Sequence, residues 1–291
     1  MITWRYHLLS LTAVFLALAL GILVGISISD SGAVETGQAG LVENIQQDLD
    51  LLKLQNDVLS RDRGINLRYQ EDTFPYILGT RLQGKKIALV ASSTVGDELL
   101  RRLTSAVHGS GGTVLSTTVL NAKLDLAALS GKIKADLKND PQLAGAEGSA
   151  LATATGQQLA REIGKGGGLR VLQALQGPLS ESTSGKYDTP PDAVVFATRA
   201  ENEQTAAYYD FEKQFLLGLK ELGVPVAACE PADAPLSEVP LFISVDVSSV
   251  DNADSRIGQV SLVYILGGEK GTFGVKPTAD MLIPILRSPR Q

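Results

Sequence analysis

The hydrophobic pattern of the chain opens with one long apolar run. Residues 8–28 read LLSLTAVFLALALGILVGISI and hold no charged side chain. A helix of this length spans about 31 Å, close to the hydrocarbon thickness of a bilayer, about 30 Å. Trp4 and Tyr6 precede the run, where amphipathic rings favour the headgroup layer. We therefore predict an N-terminal transmembrane helix, a membrane anchor over residues 1–28 that contacts lipid.

The charges around this run predict its orientation. Arg5 lies before it, and the next basic residue is Lys53. The positive-inside rule then predicts a single-pass protein of the cell membrane or envelope, with a cytoplasmic amino terminus and an extracytoplasmic main domain. The alternative is a cleaved signal peptide, whose apolar core is usually shorter, with small residues at 31–33 as the cleavage site. Both interpretations send the rest of the chain outside.

Small residues recur at every fourth position of the apolar run. They would stack on one helix face and let a second backbone approach closely. The alternative is that small residues are simply common in membrane helices. The candidate contacts are Ala13, Ala17, Gly21 and Gly25.

A heptad pattern follows at residues 41–63 and predicts a coiled-coil stalk over residues 29–72. Five of the six core positions are apolar, and a single Asn at an a position would set register and strand number. Gly64 interrupts the pattern. We predict a parallel homodimer through anchor and stalk; the alternative is one amphipathic helix that packs on its own domain. The a positions are Val42, Leu49 and Asn56, and the d positions are Ile45, Leu52 and Leu59.

From about residue 81 short apolar runs alternate with amphipathic helical patterns. Residues 86–91 and 113–120 read as strands around a helix, with Thr94-x-x-Asp97 as a capping box. Further strands are predicted at 193–197, 225–229 and 241–247. A helix marked by residues 208–222 and another at 255–266 lie between or after them, and two or three helices lie in 123–180. This order predicts an α/β domain over 81–291, an open, mostly parallel sheet with helices on both faces.

The net charge and the few cysteines and histidines exclude several classes of partner and site. The net charge is −6, so a nucleic-acid partner is not expected. One cysteine, Cys229, excludes an intrachain disulfide, and two histidines exclude a His-rich metal site. No hydrolytic triad is readable around His7 or His108. We predict a protein that is not an enzyme, with no readable cofactor, metal or catalytic residue.

Two loops have the glycine content or the position of a ligand-binding loop. The loop 164–168 follows a helical run rather than a strand, so it predicts a helix end and not a phosphate loop. The loop 92–96 follows the first strand, where ligands bind in such sheets, but it lacks the glycine pattern.

Two polar loops near the end of the chain are the candidate ligand or partner loops. Residues 250–255 hold Asp251, Asn252 and Asp254, which could hold a hard cation or accept hydrogen bonds from a ligand. Residues 267–280 hold Lys276 and Asp280, and Lys276 could neutralise the aspartates if the loops meet. The alternatives are that the aspartates cap the following helix and that the second loop is a surface turn.

Both ends of the chain resemble a known family. Residues 4–7 (WRYH), 10–21 (SLTAVFLALALG), 250–254 (VDNAD) and 273–280 (FGVKPTAD) are similar to the mycobacterial copper transport protein B (MctB) family. The resemblance implies a bacterial envelope protein of copper efflux and copper homeostasis, with copper as the transported species, described in mycobacteria as an outer-membrane channel. It implies no catalytic residues.

Three functions follow as hypotheses. The first is the copper transport and homeostasis that the resemblance implies. The second is a non-catalytic, dimeric cell-envelope scaffold for assembly or division, whose α/β domain binds an envelope protein partner. The third is an extracytoplasmic ligand-binding or enzymatic domain that uses the crevice near Asp251 and Lys276.

Overall fold

A computed structural model describes residues 4–30, 33–203 and 205–284 of the chain. The chain divides into two compact units, Met1–Arg68 and Tyr69–Gln291. The first unit contains helix α1 (Trp4–Asp30), in which Trp4–Ile28 has the length and composition to cross a membrane. None of this span is buried by other parts of the chain.

Helix α2 (Ala33–Leu78) is continuous through 46 residues. Gly64 ends the heptad pattern but not the helix, since one glycine costs a helix only about 1 kcal/mol. All six predicted a and d positions are exposed. Near the C-terminal end of α2, Phe74 and Leu78 are buried in the core of the second unit.

The second unit is built on a seven-stranded sheet of order β3-β2-β1-β4-β5-β6-β7. All neighbouring strands are parallel except β3, which runs antiparallel to β2. The strand order confirms the predicted open, mostly parallel sheet. The strands are β1 (Lys86–Ser92), β2 (Thr113–Leu120), β3 (Ser180–Gly185), β4 (Ala193–Ala197), β5 (Val226–Cys229), β6 (Ser248–Val250) and β7 (Thr272–Phe273).

Helices cover both faces of the sheet, as predicted. The central strands are buried on both sides, and alternate residues of β1, β4 and β5 point into two separate cores. One core holds buried residues of α4 (Leu126–Asp136), α5 (Gly148–Lys165), α6 (Arg170–Ala174), α7 (Ala206–Glu221) and α8 (Val239–Ser244). The other holds residues of α3 (Asp97–Gly109), α9 (Arg256–Leu266) and the end of α2.

The strand predicted at 241–247 is wrong. This segment begins as helix α8, and only the residues after it form a strand, β6. Pro240 stands in the first turn of α8, where its missing N–H costs nothing. Leu241, Phe242 and Val245 are buried at helical spacing. A short apolar run does not distinguish the two structures by itself.

The capping box at Thr94 is also wrong. Helix α3 begins at Asp97 after Gly96, which makes no side-chain cap. Instead the Thr94 hydroxyl donates to the carbonyl oxygen of Arg199, at 2.7 Å. The loop 164–168 is a helix end as predicted, since α5 closes at Gly166 in the left-handed conformation. Strands β3 and β7 were not predicted.

Candidate functional site

The two polar loops meet at the carboxyl edge of the sheet. Asp251 directly follows β6, and its carboxylate accepts the backbone N–H groups of Val275 at 2.7 Å and Lys276 at 3.0 Å. Gly274, at φ +145°, lets the backbone pass against this carboxylate, since a Cβ there would overlap it. The carboxylate of Asp251 therefore fastens the loop after β7 to the end of β6.

The sequence suggested that Lys276 could neutralise the aspartates. In the structure its ammonium pairs with Glu230 instead. Its Nζ lies 2.5 Å from Oε1 of Glu230, which follows β5 and is fully buried. Glu230 also accepts the Ser237 hydroxyl at 2.7 Å and the Glu238 N–H at 2.8 Å. The buried carboxylate thus has a cation and two further donors, the condition for burying a charge.

Asp254 and Asp280 accept hydrogen bonds from different parts of the chain. Asp254 accepts the N–H of Ala232 at 2.7 Å, and Asn252 is buried. Ser255, not either aspartate, caps α9, so the capping alternative is wrong. Asp280 accepts the hydroxyl and N–H of Thr272 at the other end of β7, and these bonds lower the pKa of its carboxyl. The structure does not bring Asp280 to Asp251.

The loop 92–96 lies at a crevice where the sheet reverses its strand order. Strands β2 and β3 lie on one side of β1, and β4 lies on its other side. Ligands of such sheets bind at the point where the strand order reverses. The cavity measures about 440 Å³. Among the residues that line it are Ser92, Thr94, Lys123, Arg199 and Tyr208.

A buried acidic group lies one helical turn behind the crevice. Tyr208, which is 2% exposed, lines the cavity, and Glu212 follows it by one turn of α7. Burial, and then the neighbouring charge of Glu238, raise the pKa of the Glu212 carboxyl well above its usual range. Burial likewise raises the pKa of the Tyr208 phenol, which interacts with Ser92 and Glu212. The Tyr208 phenol is therefore neutral at pH 7, and burial favours the protonated form of Glu212.

This pKa shift predicts a pH dependence of stability. Above pH 4.5, the ordinary value for this carboxyl, the folded chain keeps a proton on Glu212 that the unfolded chain releases. The free energy of unfolding contributed by this group therefore falls as pH rises above 4.5. We expect Glu212→Gln to raise the melting temperature more at pH 7.5 than at pH 4.5, in thermal unfolding of the full chain in micelles. Glu221→Gln, at the exposed end of the same helix, is the control; equal gains at both pH values would contradict the prediction.

A second depression, of about 530 Å³, opens at the amino ends of β5, β6 and β7. Lys220 lines it, but its ammonium is bonded to the carbonyl oxygens of Val245 and Asp246 and to the Asp246 carboxylate. Strand amino ends are not where ligands of such sheets bind. The smaller crevice is therefore the better candidate.

Metal ligands do not cluster within the part of the chain that the structure describes, where no group of three or more His, Cys, Asp or Glu side chains could hold a metal ion. Cys229 is fully buried, and burial raises the pKa of its thiol, so it is protonated at neutral pH. It is a small residue of the core.

Sequence reasoning missed Tyr208, Glu212 and Glu230 as polar members of this edge. The spacing of Tyr208 predicted a place on the apolar face of a helix, and the structure confirms that it is buried on that face of α7. The available signal was Glu212, a carboxylate four residues after Tyr208 and between Phe211 and Phe215 on the buried face. A second signal was Glu230, a charge placed directly after an apolar strand.

The family model described as copper transport outer membrane protein, MctB, matches residues 1–284. The chain belongs to the MctB family. No curated protein matches it. The match confirms the resemblance drawn from the two ends of the sequence and covers nearly the whole chain. MctB membership associates the chain with copper transport and the cell envelope, and helix α1 fits the membrane part of that description.

Proposed function

We propose that the chain serves copper efflux and copper homeostasis as an anchored homodimer of the bacterial cell envelope. Its amino terminus is cytoplasmic and its α/β domain extracytoplasmic. The observation that carries this is one apolar span, α1, in a chain whose family model is described as copper transport. Copper is the transported species here, not a resident cofactor.

The membrane span limits how transport can occur. Within the described residues each chain has one helix able to cross a membrane. One helix satisfies its own backbone in lipid but cannot enclose a water-filled path. In this proposal, copper therefore crosses through an assembly of several spans, from further copies or from a partner, and the α/β domain supports that assembly.

Exposed apolar residues on α2 support the homodimer. We call the six a and d positions of the heptad pattern the seam. Its apolar side chains are exposed in the single chain: Ile45 and Leu49 are about half exposed, and Leu52 and Leu59 are more exposed. Asn56 lies in the same seam, where it would face its counterpart. In α1 the small-residue face is also uncovered, and Gly21 and Gly25 have nothing within 4 Å of a Cβ position. The small-residue face of α1 and the apolar heptad positions of α2 could both pair in parallel with the same helices of a second copy. This agreement favours a homodimer.

A cysteine cross-link tests this seam. Because Cys229 is buried, Leu52→Cys would supply the accessible thiol, and we expect it to form a disulfide-linked dimer on mild oxidation in membranes. Asp57→Cys, outside the seam on the same helix, is the control. Adding Ile45→Asp should reduce the Leu52→Cys dimer about tenfold or more, since a charge in the seam loses its apolar contacts. Gln47→Asp, on the opposite face, should leave it unchanged.

Copper content tests the function itself. Deletion of the gene should raise cellular copper and copper sensitivity, and the full chain should restore both. The Ile45→Asp chain should restore them less well than the Gln47→Asp chain at equal expression. Unchanged copper in the deletion strain would overturn the copper proposal while leaving the dimer untouched.

A non-catalytic envelope scaffold is the second candidate. The observation that favours it is that Asp251, Glu230 and Lys276 are used to join strand ends, so these polar loops act as structure and leave the domain surface for a protein partner. In-cell cross-linking from the α/β domain distinguishes the two. A partner captured with copper content normal in the deletion strain would favour the scaffold.

A further inference from the structure

The crevice at the strand-order reversal has a polar, uncharged floor. Ser92 and Thr94 hydroxyl oxygens lie 2.9 Å apart, and Thr94 donates to the Arg199 carbonyl. Tyr208 completes the floor, and Glu212, one helical turn further along α7, is buried. The deep part of the cavity therefore presents the hydroxyl groups of Ser92, Thr94 and Tyr208.

The rim of the crevice does not favour an anion. Its described charges are Lys123 and Arg199 against Asp125, Glu201 and Glu203, three acidic groups to two basic. Arg199 is already paired with Glu201 at 3.1 Å and lies 3.6 Å from Asp233. The amino ends of α4 and α7, which could bind an anion, are capped by Asp125 and Thr205. The rim therefore carries more negative than positive charge, and Lys123 is the rim cation for which the described residues show no ion pair.

The hydroxyl groups at the floor of the crevice favour a ligand that can both donate and accept hydrogen bonds. Each hydroxyl both donates and accepts, so it matches ligand groups that do the same. Carboxylates and a guanidinium at a rim can accept from and donate to neighbouring ligand hydroxyls. The cavity volume is within the range of small-molecule sites, about 300–1,000 Å³. A ring with several hydroxyl groups meets all of these conditions.

We propose that this crevice binds an uncharged, polyhydroxylated small molecule, a mono- or disaccharide, through Ser92, Thr94 and Tyr208. The site is independent of the proposed copper role, because it lies in the α/β domain and uses no residue of the anchor or stalk. Its failure would leave that role unaffected.

Binding to the full chain tests the proposal. Glucose, galactose, arabinose and maltose are added in turn to the protein in a detergent without a sugar headgroup, and saturation-transfer NMR and calorimetry measure binding. Glycine and inorganic phosphate are the comparison probes. We expect at least one sugar to bind saturably with a Kd of about 1 mM or tighter, and neither comparison probe to compete.

Two variants place the binding in the crevice. Tyr208→Phe keeps the ring and removes one hydroxyl, and should weaken sugar binding about tenfold. Tyr209→Phe, the same change at the next, exposed residue of α7, should not. Ala122→Trp should abolish binding by filling the cavity while circular dichroism stays unchanged. The proposal is overturned if no sugar binds, if phosphate or glycine binds there instead, or if Tyr208→Phe and Ala122→Trp both leave binding intact.

Discussion

Replacing Lys276 with methionine should destabilise the chain by about 3–5 kcal/mol, the cost of leaving a buried charge without its partner. Glu230 is fully buried, and Lys276 is the cation 2.5 Å from its carboxylate. Methionine keeps most of the side-chain volume, so the loss is mainly electrostatic. Thermal unfolding of the full chain in micelles, followed by circular dichroism, measures it.

A double variant separates the charge from the packing. Glu230→Gln together with Lys276→Met should recover most of the lost stability, because the amide oxygen can accept the Glu238 N–H while the amide NH2 donates to the Ser237 hydroxyl oxygen. Lys270→Met, an exposed lysine in the same loop region, should change the melting temperature little. A cost below about 1 kcal/mol for Lys276→Met would mean that water screens the pair.

Gly156→Ala should cost about 3 kcal/mol, at the upper end of the range for overpacking. Helices α5 and α7 approach so closely at this glycine that a Cβ would overlap the Phe211 carbonyl oxygen and lie 3.0 Å from the Phe215 nitrogen. Both are backbone atoms of α7, so only movement of a whole helix could relieve the overlap. The denaturation midpoint of the full chain measures the loss.

Two matched changes test the helix contact. Gly131→Ala is the same substitution at an exposed position of α4, with nothing within 4 Å, and should stabilise by about 0.5–1 kcal/mol. Gly218→Ala places a Cβ 2.7 Å from that of Ala160, so adding Ala160→Gly should restore most of the lost stability. Wild-type stability in Gly156→Ala would show that the helices are farther apart than described.

Elements with a strong period were predictable and elements without one were not. The apolar span, helix α7 and strand β4 follow from local spacing, which the sequence displays directly. Strand β3 (SESTSG) has no apolar alternation because it pairs at the edge of the sheet, with β2 alone. Helix α8 was mistaken for a strand, since a short apolar run fits either structure.

The candidate site was predictable only in part. The sequence predicted Asp251 and Lys276 as candidate residues of two loops near the C-terminal end of the chain. In the structure the backbone N–H of Lys276 donates to the carboxylate of Asp251. Their real partners were hidden, because Asp251 binds backbone N–H groups and Lys276 reaches Glu230, 46 residues away. The sequence placed the loop 92–96 where ligands of such sheets bind, but the rest of the crevice was hidden, since Arg199 and Tyr208 come from distant parts of the chain.

The sequence by itself determined the apolar helix, the heptad pattern, the family and the alternation of strands and helices. Each of these depends on spacing along the chain, so a single stretch of residues is enough to reveal it. The tertiary structure alone decided which buried charges are paired, which carboxyl has a raised pKa and where the cavity opens. Those properties depend on burial and on contacts between distant segments, and neither is set until the sheet places its strands side by side.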